Sequence, residues 1–204
     1  VTATTVDRFD GHIAGLGTSA GLRVVVGHWH SSPLGTFADV MAERPDGHRL
    51  LLAPTPAVAA FVSATYTFDE VRVVPVHAVV DGPRWTVRAG PLEATFRTGR
   101  RPALGLLLAA VPTRIATSIP WVSAIDVVAS RVLPGVRTRG SAGGGREEFY
   151  CARDMHCVTT ADVRWDGADQ GTLTSVDPPV RFGFGSTPPG PSVVRVTTLI
   201  RTRG

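Results

Sequence analysis

Two histidines one residue apart, His28 and His30, close the β-branched and aromatic run that begins at Leu22. On a strand, residues two apart point to the same face, so both imidazoles would share one side while Trp29 faces the other. Two imidazoles on one face can begin a metal site, but zinc or iron asks for at least a third protein ligand. His48 and His77, on neighbouring predicted strands, are the candidates for it. No carboxylate stands close by, so we read His28 and His30 as polar contacts to a ligand, with no metal and no cofactor. A second cluster, Glu147–Cys157, gathers acids, thiols, an imidazole and a phenol. Here Glu148, Asp154 and His156 could exchange protons, and a cysteine beside a histidine can become a nucleophile if its pKa falls. Neighbours along a strand face opposite ways, however, so His156 is poorly placed to activate Cys157. The plainer reading is a strand, a turn and a strand, with Cys151 and Cys157 as small hydrophobes.

Arginine supplies the remaining candidates. The run Gly140–Gly145 lies among Arg137, Arg139 and Arg146, where backbone amides could cradle an anion and a guanidinium clamp it. It matches neither a dinucleotide fingerprint nor a phosphate loop, and a loop over a barrel mouth is an equally natural reading. In Asp177–Ser186, Phe182 and Phe184 would share one face of a strand and Arg181, Gly183 and Gly185 the other. Glycines in a strand leave room for a packed helix or a ligand. Arg139 and Arg181 therefore join His28 and His30 as the expected ligand contacts.

All 21 basic side chains are arginine, and lysine is absent. Composition rich in Ala, Gly, Val, Pro and Arg points to a GC-rich genome as the cause. The chemical consequence holds regardless: no Schiff base, no lysine general base and no phosphate-loop lysine. The net charge of +4 is spread along the chain without a basic arm, so no nucleic-acid partner is expected. With 43% hydrophobic and only 19% charged residues, 204 residues suit one well-buried domain. Two cysteines imply neither a disulfide framework nor a four-ligand zinc site, and Val1–Asp10 lacks an apolar signal core. A cytoplasmic protein with reduced thiols is expected. Ala103–Val132 is apolar, but Pro112 and Pro120 cut it into pieces too short to span a bilayer. We read two buried or half-buried helices there, and no membrane span.

The elements that must position these residues are mostly strands. Leu22–His30 is one; Ala38–Arg44 and His48–Ala53 form a hairpin about Pro45-Asp46-Gly47. Thr55-Pro56 caps a short helix ending near Tyr66. Val71–Val80, Trp85–Ala89 and Leu92–Thr98 read as a meander, with turns at Gly82-Pro83 and Gly90-Pro91. After the helical insertion at about 103–133 and the Gly-rich loop at 140–145, strands return at Glu148–Cys151, Cys157–Asp166, Val180–Gly185 and Val193–Ile200. The fold class is α+β, mainly antiparallel β: a curled sheet or β-barrel with a helical insertion, forming a single domain over 1–204.

Ser32-Pro33-Leu34-Gly35-Thr36-Phe37-Ala38-Asp39-Val40, after the strand ending at His30, resembles the Ser-Pro-x-Gly-aromatic-acid stretch of the acetoacetate decarboxylase-like superfamily. Asp177–Ser186 and the last strand are similar to the closing strands of that fold, and by pattern the resemblance covers about half the chain. It implies a curled antiparallel β-structure around a closed cavity. The decarboxylases act through a lysine Schiff base whose pKa a second lysine lowers, and this chain has neither lysine. The expectation is a small-molecule-binding protein with a partly apolar cavity furnished with arginine, for a small organic acid or lipid-like ligand, and with self-association into a homo-oligomer open to it. It is not a Schiff-base decarboxylase. Two alternatives stand beside it: a lyase or hydrolase using His and acid residues, and a non-catalytic interaction module built on the apolar 103–133 stretch.

Overall fold

The computed structural model describes residues 4–123, 139–141, 146–183 and 187–203. The chain runs through β1 (Thr4–Thr18), β2 (Arg23–Ser31), β3 (Phe37–Glu43), β4 (Arg49–Ala53) and α1 (Pro56–Ser63). Next come β5 (Glu70–Val73), β6 (Val76–Asp81), β7 (Arg84–Ala89), β8 (Leu92–Thr98), α2 (Ala103–Ala110) and α3 (Thr113–Ala116). The last elements are β9 (Arg139–Ser141), β10 (Arg146–Trp165), β11 (Ala168–Asp169), β12 (Leu173–Thr174) and β13 (Ser192–Arg203). They form a sheet in the order β5-β4-β3-β2-β1-β13-β10-β8-β7-β6, with β9, β11 and β12 attached at its sides. The neighbours are antiparallel except for β4 and β5, which the α1 crossover makes parallel. The path ends at β5 and β6, so the sheet is curled but not closed.

The curl depends on β10. Its first half pairs with β13 and its second half with β8, and a bulge interrupts each register, at Ala152/Asp154 and at Val158/Thr160. An extra residue in one strand sharpens its twist and bends it, which folds the β6–β8 meander back over the larger sheet. Side chains fill the space between. Leu16, Val24, Val26 and Val40 meet Trp85, Val87 and Phe96 in one core, each large apolar side chain contributing ~1.5–3 kcal/mol on burial. The inside of the curl is thus packed rather than hollow.

The opposite face of the large sheet is covered by α1 and by the segment before β13. Val58 and Val62 of α1 pack on Phe9, Leu51, Ala53 and Ile200, while Val176, Val180 and Phe182 pack on Val25. The Thr55 side chain accepts a hydrogen bond from Val58 N at 3.2 Å, which caps α1 as its sequence predicts.

Several expectations change. The predicted Val71–Val80 strand breaks at Pro75, because proline cannot donate to a ladder. Glu148–Cys151 and Cys157–Asp166 are not two strands around a turn but parts of the continuous β10. Residues 177–183 form no strand; their backbone lies across the sheet face instead of pairing along an edge. Nor do the apolar helices bury their side chains in the way expected. Gly105 is the buried residue of α2, and a Cβ there would strike Met155 O, so the helix backbone rests directly on β10. Leu106 and Leu107 consequently face outward, 57% and 69% exposed. Residues 124–133 of that insertion and 142–145 of the glycine run lie outside the described residues. Among those described, no helix is long and apolar enough to cross a membrane.

Candidate functional site

Beneath α1 the alternation of five strands brings one set of side chains to a common cavity. Asp39 comes from β3, Trp29 from β2, Thr198 from β13, and Glu148 and Tyr150 from β10; Thr65 and Tyr66 follow the end of α1. The register places Asp39 opposite Gly27, Tyr150 opposite Thr198 and Glu148 opposite Ile200. The walls are otherwise apolar, with Ile13, Phe37, Met41 and Phe61 among them, and the space measures about 50 Å³. That is room for a few waters or a compact ligand. Among the described residues no arginine lines it.

Its polar groups are closely linked. Trp29 Nε1 donates to Asp39 Oδ1 at 3.1 Å. Tyr66 donates to Glu148 Oε2 at 3.4 Å, and the Tyr66 and Tyr150 hydroxyls are in direct hydrogen-bond contact. The hydroxyls of Thr65 and Thr198 are buried without a partner among the described residues. Gly27 makes the Trp29–Asp39 contact feasible, since a Cβ there would lie 2.7 Å from Trp29 Nε1 and closer still to Asp39 Oδ1.

Burial dominates the electrostatics. It raises Glu148 from 4.5 to about 7, against hydrogen bonds from Tyr150 and Tyr66 that favour the carboxylate. It raises Asp39 from 3.8 to about 6, against the Trp29 hydrogen bond. The phenols of Tyr66 and Tyr150 are pushed well above their ordinary value by burial and by the acids beside them, so both stay protonated donors. Two carboxyls that change charge near neutrality, beside two phenols that do not, can exchange a proton with a bound molecule.

His28 and His30 do share a face, the one opposite this cavity. His12 of β1 lies directly across from His28, with its ring 6.1 Å from that of His30, and the rings of His12 and His28 both meet Trp85 edge-on. His12, His30 and Trp85 stand around an open mouth at one end of the curl, with Asp154, His156 and Arg195, while His28 lies behind them and does not line it. Arg139 and Arg181 line neither space. Arg139 Nη2 donates to Glu147 Oε1 at 2.7 Å, and its guanidinium lies over the Phe149 ring. Arg181 makes a fork with Glu43, Nε and Nη2 each at 2.9 Å, and Glu43, fully buried, also holds Arg23 at 3.1 Å. That cluster ties the segment after Pro179 to the end of β3. Among the described residues no group of three or more His, Cys, Asp or Glu is placed to hold a metal.

Asp39, Tyr66, Thr198 and His12 were not among the expected contacts. Asp39 carries a signal, as the acid that ends the Ser-Pro-x-Gly stretch and a charge set among the apolar positions in the middle of β3. Glu148 falls among the acids of the enzyme alternative; apart from Tyr150, its polar neighbours in the cavity come from other elements.

No family model matches this sequence, and no curated protein matches it. Among solved structures the chain is similar to the crystal structure of acetoacetate decarboxylase from Legionella pneumophila, at 7% sequence identity. The match covers 98% of this chain and 85% of that one, with a TM-score of 0.44. Nothing about chemistry is taken from it.

Proposed function

We propose that this protein binds a compact, uncharged small molecule in the cavity beneath α1, through Glu148, Asp39 and the Tyr66–Tyr150 pair. The observation that carries this reading is the convergence on one small apolar space of two buried carboxyls and two buried threonine hydroxyls that have no partner among the described residues. Buried polar atoms normally have partners, and a ligand hydroxyl or carbonyl would supply them. A carboxylate would meet Glu148 and Asp39 as like charges, so the occupant is a neutral polar molecule with a short apolar body. Free thiols at Cys151 and Cys157 suit a reducing compartment such as the cytoplasm. Thermal melting in the presence of short ketones, alcohols and amides tests the reading. A Tm rise in the wild type that disappears in Glu148→Gln and Tyr150→Phe is expected; no rise with any of these probes refutes it.

A second reading, a proton-transfer enzyme, is favoured by the Glu148 carboxyl titrating at about 7. An acid with that pKa can serve as donor or acceptor at neutral pH. In deuterated buffer, loss of the α-proton NMR signal of a bound ketone should follow the wild type and stop in Glu148→Gln. Equal exchange by both proteins removes the catalytic reading and leaves the binding one.

A further inference from the structure

On the other face of the sheet a row of basic groups crosses four adjacent strands. The ladder sets His28 of β2 opposite His12 of β1, His12 opposite Arg195 of β13, and Arg195 opposite Asp154 of β10. His30 stands one step further along on the same side, near His12. Directly opposed side chains in a sheet lie roughly 5 Å apart, so the row is a run of immediate neighbours. Its one acid is already engaged: Arg101 donates to Asp154 Oδ2 at 2.8 Å, and His156 Nε2 lies 3.5 Å from the same oxygen. Arg195 is exposed and has no ion pair among the described residues.

Two further observations point to a missing partner. His12 Nδ1 is buried and has no hydrogen bond among the described residues. His12 is also held far down, to about 4, by burial first and then by His28, His30 and Arg195. Cation-capable groups this close repel one another unless an anion stands among them. The space in front of His12, His30 and Arg195 measures about 550 Å³ and is walled on one side by Trp85, Val80 and Pro83, which is within the roughly 300–1,000 Å³ of small-molecule sites.

We propose that the mouth of the curl is a second ligand site, which takes the carboxylate of an organic acid between Arg195 and the histidines His12 and His30, with the acid's apolar body against Trp85. Arginine supplies the charge and a planar fork that matches a carboxylate, and the imidazoles supply the additional donors. Trp85 stacks on Phe96, so the apolar wall is fixed by the core behind it. This site is independent of the cavity beneath α1, which lies across the sheet.

Calorimetric titration of the whole protein with benzoate, and with benzamide as its uncharged counterpart, tests the proposal. Benzoate should bind with one site per chain and benzamide should not. Arg195→Gln should weaken benzoate about tenfold or more, as loss of a charge-assisted hydrogen bond does, and His12→Gln should weaken it as well. Because Arg195 is exposed, its substitution leaves folding intact, which a thermal melt confirms. Glu148→Gln should leave benzoate affinity unchanged. No saturable benzoate binding, equal binding of benzamide, or full affinity in Arg195→Gln overturns the proposal. Loss of benzoate binding in Glu148→Gln alone would overturn it too, by placing the acid beneath α1.

Discussion

Glu148→Gln isolates the cost of keeping a charge beneath α1. In the wild type the carboxyl sits at about 7 instead of 4.5, so between those values the native state holds a proton that the unfolded chain has released. Stability must therefore fall as pH rises through that window, and it stays lower above it. The displacement from 4.5 to about 7 is worth about 3 kcal/mol at 1.36 kcal/mol per pKa unit. Glutamine has the same shape and keeps a carbonyl for the tyrosines but never ionises. Whatever it loses in hydrogen bonding it loses at every pH, so only the pH-dependent part of the difference reports on burial. Urea unfolding followed by tryptophan fluorescence, from about pH 4 to about pH 8, should show the variant gaining about 3 kcal/mol on the wild type across the series. A difference that stays constant with pH would mean that Glu148 titrates like a solvated carboxyl, and the desolvated cavity would be refuted.

Gly27→Ala should drive a methyl group into the Trp29–Asp39 contact and cost about 1–3 kcal/mol, read as a lower urea midpoint. Glu43→Ala leaves Arg23 buried with no carboxylate and should cost about 3–5 kcal/mol, whereas Arg181→Ala should cost far less because that side chain is 68% exposed; similar losses in the two would contradict the ranking. Burial pushes the Cys151 thiol up to about 12, so a thiol-reactive disulfide at mildly alkaline pH should titrate Cys157 in the native protein and Cys151 only after unfolding.

What was legible in the sequence was local. Pro45-Asp46-Gly47 makes its hairpin, Thr55-Pro56 caps its helix, and the alternation from Val193 to Ile200 is a strand, because each signal and its structure lie within a few residues. β1 could not be read in this way. Its glycines at 11, 15 and 17 look like a loop, but they are there because Trp29, Thr187 and Ser175 press against the strand where a Cβ would stand. His28 and His30 sharing a face follows from the period of a strand. The presence of His12 beside them follows only from pairing with β1. Likewise Asp39 and Glu148 meet because β2, β1 and β13 order themselves between β3 and β10. The carboxylates that engage Arg139 and Arg181 are equally invisible in one dimension: an arginine's type does not name its partner.

The bulge at Ala152/Asp154 has a consequence for how this chain can tolerate change in length. On β10, Glu148, Tyr150 and Ala152 face the α1 side, yet Asp154 and His156, also even-numbered, face the mouth of the curl. Arg153 is the surplus residue that allows this. Its deletion would restore plain alternation and return every other side chain of β10 to the face it already occupies. Losing Phe149 or Met155 instead would shift the residues between that position and the bulge, and carry Tyr150 or Asp154 to the wrong side. Single-codon loss is therefore absorbed at the bulge, and farther from it along that stretch it would take a side chain from one site or the other.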